Sequence, residues 1–179
     1  MTGMKVKDMT LTAFMAALIC IAGPLVIPIG PVPMSLATLA VYLAGAVTGK
    51  KRGTAAAALY LLIGLIGVPV FSGFSGGFQK LAGVTGGYLI GYLFCAFLSG
   101  FGAEQAEKKG RIWFLPVMMT AGTAVLYMIG TAWFIIQSGN TIGTALSLCV
   151  APFLPGDAAK IAAATMLAVP VRKAVCKIG

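Results

Sequence analysis

The stretch PFLPGDAAKIAAATML, Pro152–Leu167, opens on a proline–glycine turn and continues as an apolar, alanine-rich segment. Its head carries Asp157 and Lys160, in a chain that has only four acidic residues. A spacing of three predicts that both side chains lie on one face of a helix. Charged residues at the head of an apolar helix are typical of a membrane segment that borders a functional site. Whether this interpretation holds depends on the character of the rest of the chain.

The whole chain has the composition of an integral membrane protein. Of its 179 residues, 59% are hydrophobic and 9% are charged, whereas a soluble domain averages about 25% charged residues. In lipid the backbone polar groups must be satisfied within the chain, which leaves helices or a closed β-barrel. The apolar runs are continuous and do not alternate with polar residues as barrel strands do. We therefore expect an all-α integral membrane protein.

Length and turn residues predict one compact six-helix transmembrane bundle, a single domain over residues 1–179. A spanning helix needs about 20 residues, so this length holds about six spans with their loops. Clusters of glycine and proline separate the apolar runs. The predicted helices cover residues 10–26, 35–48, 54–68, 86–101, 112–136 and 156–171. The segment 137–155 is too short and interrupted to span twice, and we expect a short helix or a re-entrant piece there.

Basic residues predict the orientation of the bundle. Clusters of lysine and arginine precede the first predicted helix and follow the second, the fourth and the sixth. If both termini are cytoplasmic, all four clusters lie on the cytoplasmic side, as the positive-inside rule requires. The net charge of +9 therefore reflects topology and gives no support for nucleic-acid binding. The basic start looks like a signal peptide but lacks a clear cleavage site, so we expect a retained first helix.

Three segments are expected on the outer side: the proline-rich first loop, the glycine-rich residues 67–88, and residues 137–155. They are apolar and rich in glycine, and irregular backbone at membrane depth persists only where it is buried or lines a cavity. We therefore expect these segments to roof an outward-facing pocket. The aromatic residues expected in its walls are Phe71, Phe74, Phe78 and Tyr88.

Asp157 and Lys160 lie at the predicted outer end of the sixth helix, beside this pocket. One interpretation is structural: Asp157 caps the first helical turn, with Lys160 as its ion-pair partner. The other is that a carboxylate and an ammonium line a ligand site. The two are compatible, because a capping carboxylate keeps lone pairs for a ligand.

Catalytic and metal sites have little support in the sequence. There is no histidine, and the four cysteines include no CxxC pair, so we expect no zinc site and no Cys–His site. The stretch GAVTGKK, Gly45–Lys51, is one residue too short for a P-loop and lacks its serine or threonine. Glu104 and Glu107 lie among basic residues, as on a solvated surface. We expect no catalytic residue, no metal and no cofactor.

Three stretches are specific enough to indicate a family: PIGPVPMSLATLAVYLAG (Pro28–Gly45), GVPVFSGFSGGFQKLAGVTGGYLIGY (Gly67–Tyr92) and PFLPGDAAKI (Pro152–Ile161). Together they resemble the BioY family, the biotin-binding S components of energy-coupling factor (ECF) transporters. The resemblance covers essentially the whole chain, in the same order. Two positions depart from the family pattern, Ala37 in place of a frequent glutamine and Val84 in place of a proline. The resemblance implies a six-helix membrane protein that captures biotin from outside.

The resemblance also implies partners. A complete transporter of this kind adds a transmembrane coupling subunit and two cytoplasmic ATPase subunits in the cytoplasmic membrane of a prokaryote. Ala13 and Ala17 form a small-xxx-small step, which by itself suits packing within the bundle equally well. They match the step that meets the coupling subunit in these S components. Asp157 and Lys160 match the PGD-x-x-K residues implicated in biotin binding.

The chemistry of biotin suits these residues. Its ureido ring offers two N–H donors for a carboxylate and one strong acceptor for an ammonium or a backbone N–H. A site built for such groups rejects analogues that lack them. The ligand carboxylate needs a donor, for which Gln79 and Lys80 are candidates. The expected substrate-binding residues are Phe71, Phe74, Gln79, Lys80, Gly86, Gly87, Tyr88, Asp157 and Lys160.

Biotin capture as the substrate-binding subunit of an ATP-driven transporter is the leading hypothesis. Two close alternatives stay open: the same fold serving another vitamin, and biotin uptake without ATPase partners. A small intramembrane enzyme is disfavoured because catalytic pairs and a metal set are missing. A purely structural membrane protein would not need a glycine-rich outer cavity with an Asp–Lys pair.

Overall fold

The computed structural model describes residues 6–27 and 34–177, which are mostly helical. Eight helices and two short strands are found within these ranges. Their order is α1 (Val6–Ala22), β1 (Val26–Ile27), β2 (Met34–Ser35), α2 (Ala37–Thr48), α3 (Lys50–Leu65), α4 (Phe78–Ala82), α5 (Gly86–Lys109), α6 (Phe114–Ser138), α7 (Ile142–Cys149) and α8 (Leu154–Lys177). The strands pair antiparallel, with Val26 opposite Ser35.

Helix α5 lies at the centre of the bundle and packs against α6, α2 and α3, while α2 also packs against α8. The helices approach closely where they carry glycine. Gly45 on α2 faces Gly53 on α3 and the backbone of Ala96 on α5, and a Cβ atom at Gly45 would have no room. Lipid tails are as apolar as leucine, so close packing of small residues takes over the role of hydrophobic association between membrane helices.

The observed helices extend further into charged segments than the sequence predicted. α5 continues to Lys109 instead of ending at residue 101, and α8 continues to Lys177 instead of residue 171. α3 begins at Lys50 instead of residue 54. Lysine and glutamate are good helix formers, so polarity marks the end of an apolar run but not of a helix. Gly110 ends α5 with a φ of +63°, the left-handed conformation common after helices.

The remaining boundaries differ for local reasons. α1 covers Val6–Ala22 instead of residues 10–26, because the backbone turns at Gly23 and enters β1. α2 begins at Ala37, since Ser35 belongs to β2. α6 lies two residues later than predicted, at Phe114–Ser138 against 112–136. The glycine-rich loop contains the short helix α4, and the segment 137–155 contains α7, which fits the short helix expected there.

Two helices, α5 and α6, are each long and apolar enough to cross a membrane. α7 and α8 form a third such unit, bent by 47° at their junction. α1, α2 and α3 have 17, 12 and 16 residues, which is short for a complete span. Six spans with both termini on the cytoplasmic side therefore stay a prediction.

Charged residues gather at one end of the bundle, which we call the charged end. Three ion pairs connect different helices there: Asp8 with Arg52, Glu104 with Lys50, and Glu107 with Arg172. The Lys7 ammonium also donates to the backbone oxygen of Val175 at 3.3 Å. The fourth acidic residue, Asp157, precedes Arg172 on α8 by 15 residues, which places it about 22 Å away along the helix axis.

Candidate functional site

Asp157 and Lys160 form a buried ion pair in the first turns of α8. Asp157 Oδ1 lies 3.0 Å from Lys160 Nζ, and the two residues are only 4% and 9% exposed. A buried ion pair is retained only where further hydrogen bonds compensate the lost hydration of both charges. The surroundings of the pair supply these bonds from three other parts of the chain.

The Lys160 ammonium donates three hydrogen bonds. Its acceptors are Asp157 Oδ1 at 3.0 Å, the Ser35 backbone oxygen at 2.8 Å and Thr38 Oγ1 at 2.9 Å. An ammonium has three protons, so all of its donors are used. Lys160 therefore connects α8 to β2 and to the first turn of α2.

The Asp157 carboxylate receives a second donor from the opposite side. The Tyr127 hydroxyl on α6 donates to Asp157 Oδ2 at 2.6 Å. Because α8 begins at Leu154, Asp157 lies inside the helix, and its oxygens bond to side chains instead of capping the first turn. A carboxylate accepts about four hydrogen bonds. Asp157 therefore keeps capacity for a ligand that offers N–H groups.

Ser35 fixes the end of the first loop against the bundle. Its hydroxyl donates to the Gly23 backbone oxygen at 2.8 Å and accepts from the Ala37 backbone N–H at 2.9 Å. These bonds orient the Ser35 carbonyl that Lys160 uses. The proline-rich first loop, predicted to help roof the pocket, falls largely on residues 28–33, outside the described residues.

A small cavity of about 50 Å³ opens beside the ion pair, less than a small-molecule ligand needs, so its lining side chains must move apart to admit one. Its wall combines the ion pair with tyrosine hydroxyls, a second lysine and apolar side chains. The lining residues are Ser35, Thr38, Ser72, Lys80, Thr85, Tyr88, Leu89, Tyr92, Leu126, Tyr127, Cys149, Phe153, Asp157 and Lys160. A ligand with a polar head and an apolar body therefore fits the chemistry of this cavity.

Four of the nine residues predicted to bind substrate line this cavity together: Lys80, Tyr88, Asp157 and Lys160. They come from α4, α5 and α8, so folding joins distant parts of the sequence in one cavity. Tyr88 is held in place by its hydroxyl, which lies 3.2 Å from Thr131 Oγ1 on α6.

Phe71, Phe74 and Phe78, predicted as pocket walls, are not among the cavity-lining residues. Phe71 is fully buried behind the loop, edge-to-face with Tyr60 at 5.4 Å and against the backbone of Gly64. Phe74 is 69% exposed and has a φ of +56°, an uncommon conformation for an aromatic residue. The tight turn that brings the Phe71 ring inward therefore points the Phe74 ring, three residues later, outward.

Gln79, Gly86 and Gly87 also lie outside the cavity wall. Gln79 is exposed on α4. The two glycines begin α5, where Gly86 packs against the Leu81 backbone and Gly87 against the side chain of Trp133. Their small size thus serves the contacts of α5 with α4 and with α6.

Ala13 and Ala17 are both exposed on the outer face of α1. The buried residues of α1 are Thr12, Met15, Ala16 and Ile19. The bundle described here therefore does not use the small-xxx-small step for its own packing, and the step remains available for another helix.

The sequence prediction missed several residues of the site, above all Tyr92, Tyr127 and Thr38. One pattern was available: Tyr88 and Tyr92 are four apart and therefore share a face of α5. Tyrosine within an apolar helix is a further indication, because a buried hydroxyl usually finds a partner. Which partner it finds depends on the packing of α5, α6 and α8.

Comparison with known proteins agrees with this architecture. The family model described as "BioY family" matches residues 1–177. A protein named "Probable biotin transporter BioY" from Pyrococcus horikoshii is 37% identical over 92% of this chain and 96% of its own length. A "Biotin transporter BioY" from Thermotoga maritima is 39% identical over 88% of this chain and 90% of its own length.

A solved structure has the same fold. It is the crystal structure of the S-component for biotin from an ECF-type ABC transporter, with a TM-score of 0.82 and 34% sequence identity. The match covers 96% of this chain and 95% of the other. The extent of the family match and the identity to several relatives decide the classification: this chain belongs to the BioY family.

Proposed function

We propose that this protein captures biotin in the cavity beside Asp157 and carries it across the cytoplasmic membrane as the substrate-binding subunit of an ATP-driven ECF transporter. The observation that carries the proposal is the buried Asp157–Lys160 pair in the wall of a cavity that tyrosine hydroxyls and apolar side chains also line. Relatives along nearly the whole chain are named biotin transporters, and the matching solved structure is a biotin S-component.

Asp157 is the proposed acceptor for the ureido N–H groups of biotin. Its two oxygens each accept one hydrogen bond from the protein, from Lys160 and Tyr127. The remaining lone pairs are available to a ligand, and the negative charge makes such hydrogen bonds stronger than neutral ones. A ligand without N–H donors would leave these lone pairs of the buried carboxylate without hydrogen bonds. The site therefore selects ligands that carry such donors.

Tyr92 is the proposed donor for the ureido oxygen. Tyr92 lines the cavity together with Asp157, which places its hydroxyl group in the same wall. The Lys160 ammonium already has three acceptors, so it would have to exchange one of them to reach the ligand. Lys160 therefore acts mainly by neutralising and positioning Asp157.

Lys80 is the proposed partner of the biotin carboxylate. It also lines the cavity, and it forms no ion pair with the described residues. The apolar lining residues, among them Leu89, Leu126 and Phe153, suit the thiophane ring and the valeryl chain. The cavity wall thus offers a charged group for each polar end of biotin.

We further propose six spans with both termini cytoplasmic and the charged end facing the cytoplasm. The positive-inside rule supports this orientation, because the basic clusters lie together at that end. The exposed face of α1 around Ala13 and Ala17 is the proposed contact with a transmembrane coupling subunit. ATP hydrolysis is assigned to two cytoplasmic ATPase subunits, and this chain is not an enzyme.

Calorimetric titration of biotin into the purified protein in detergent tests the proposal. We expect one tight site, and no comparable heat from thiamine, riboflavin or lipoate. Tight binding of another vitamin with no biotin binding would contradict the substrate assignment. Thermal unfolding of the same sample shows that the protein is folded, so that absent heat reports absent binding.

A further inference from the structure

A second cavity lies at the charged end, far from the proposed biotin site. It has a volume of about 470 Å³ and opens between α5, the start of α6 and the end of α8. Ala46, Ala103 and Ala168 form a buried apolar floor. Glu107, Arg172 and Lys173 add charge at its edge. This cavity, which we call the basic groove, therefore combines an apolar surface with cationic groups.

Arg172 lies in the wall of the basic groove and connects α2 to α5 through hydrogen bonds. Its guanidinium donates to the Ala46 backbone oxygen at 2.9 Å and to Glu107 Oε2 at 2.9 Å. The Arg172 side chain is 18% exposed, whereas the Glu107 side chain is 59% exposed. Glu107 can therefore leave while the arginine stays fixed to α2. Lys173 is exposed and forms no ion pair with the described residues.

Aromatic residues place the mouth of the groove at the membrane surface. Trp113, just before α6, is 53% exposed and stacks on Phe114 at 4.3 Å. The Lys109 ammonium lies 4.7 Å from the centre of the Phe114 ring. Exposed tryptophan with neighbouring lysine is typical of the headgroup level of a bilayer. Ile112, which lines the groove, is 58% exposed at the same level.

We propose that the basic groove binds one anionic phospholipid from the adjacent leaflet. The phosphate lies on Lys173 and Arg172 and displaces Glu107, while an acyl chain covers the apolar floor. Basic pockets between transmembrane helices are suited to anionic lipid headgroups, and a guanidinium matches phosphate geometry. The inference rests on the proposed membrane location but not on biotin as the substrate.

A lipid fits these observations better than a protein segment does. The mouth combines interfacial aromatic residues with cationic groups, and its apolar floor is buried in the bundle. A phospholipid has the same order of parts, an anionic head followed by an apolar chain. The carboxylate of Glu107 already occupies the position that we assign to the phosphate.

The test is native mass spectrometry of the full-length protein released from nanodiscs that hold equal amounts of phosphatidylglycerol and phosphatidylcholine with the same acyl chains. We expect retention of one phosphatidylglycerol. Lys173→Gln should lower this retention about fivefold, and Glu107→Gln should raise it by a similar factor because Arg172 loses its competitor.

Matched variants distinguish lipid binding in the groove from an effect of the overall charge of the protein. Lys51→Gln and Glu104→Gln make the same charge changes at the charged end but outside the groove, and we expect retention to stay within twofold of wild type. Ala106→Phe fills the groove without changing charge and should lower retention. Thermal unfolding of each variant shows that it is folded, and a separate biotin titration keeps failure of this inference distinguishable from failure of the proposed function.

Several outcomes would overturn the inference. Equal retention of the two lipids would show that the site does not select an anionic headgroup. Equal shifts in the groove variants and their controls would indicate diffuse electrostatic attraction. If the groove variants leave lipid retention unchanged but weaken co-purification with a coupling subunit, the groove is a protein contact and not a lipid site.

Discussion

The ammonium of Lys160 on α8 lies 2.8 Å from the backbone oxygen of Ser35 in β2, 125 residues earlier in the chain. This hydrogen bond attaches the helix that carries Asp157 to the end of the proline-rich first loop. The carboxylate and the loop are therefore mechanically connected through one side chain. A ligand that changes the partners of this ammonium will also change how the loop is held.

Variants that neutralise the Asp157–Lys160 pair should distinguish its effect on protein stability from its effect on biotin binding. Lys160→Met leaves Asp157 buried without its cation, and loss of one partner of a buried pair costs about 3–5 kcal/mol. We expect a lower melting temperature and weaker biotin binding. Adding Asp157→Asn should recover most of the stability, because no unpaired charge remains, but not the binding. Recovery of biotin binding in the double variant would show that the pair serves the fold alone.

Asp157→Asn by itself should weaken biotin binding about 10- to 100-fold, the range expected for hydrogen bonds to a charged group. The amide keeps the shape of the side chain but loses the charge and one acceptor oxygen. Isothermal titration measures the effect. Glu104→Gln, which removes a carboxylate at the charged end, serves as the control and should bind normally. Normal binding by Asp157→Asn would contradict the site assignment.

Tyr127→Phe should weaken biotin binding about tenfold, because Asp157 loses its 2.6 Å hydrogen bond from α6 and is less well oriented. Tyr42→Phe is the matched control. It breaks a hydrogen bond of 2.6 Å to Thr123, also between helices, but Tyr42 does not line the cavity. Equal losses in the two variants would indicate a general effect of helix packing.

Ala13→Trp should abolish co-purification with a coupling subunit and leave biotin binding unchanged. Ala13 lies on the exposed face of α1, so an indole there disturbs the outer surface and not the bundle. Leu62→Trp adds the same ring at an exposed position of α3, which is 58% exposed, and should co-purify normally. A coupling subunit that still binds Ala13→Trp would exclude this face as the contact.

Gly45→Ala should destabilise the bundle by about 1–3 kcal/mol, as overpacking of a close contact does. A methyl group at this position would meet the backbone of Ala96 on α5. Gly143→Ala is the control, since it lies on α7 with open space around its Cβ position. Unfolding in mixed micelles should distinguish the two variants, and equal stability would refute the close contact of α2 with α5.

The sequence by itself determined the class of the protein and the outline of the site. Hydrophobicity, basic clusters and glycine–proline breaks are local properties, so they indicated membrane helices and the positions of the loops. The spacing of Asp157 and Lys160 is also local, and it correctly placed both side chains on one face of α8. Helix ends were less predictable, because lysine and glutamate continue a helix that leaves the apolar region.

Only the tertiary structure decided which groups surround that pair. Tyr127, Ser35 and Thr38 reach it from 30 to 125 residues away in the sequence. The positions of the Phe71 and Phe74 rings also could not be predicted from the sequence, since a tight turn buries the first ring and leaves the second exposed. Such partnerships depend on how helices pack against one another. A hydrogen bond depends on the distance between two atoms, and only the packed bundle determines that distance.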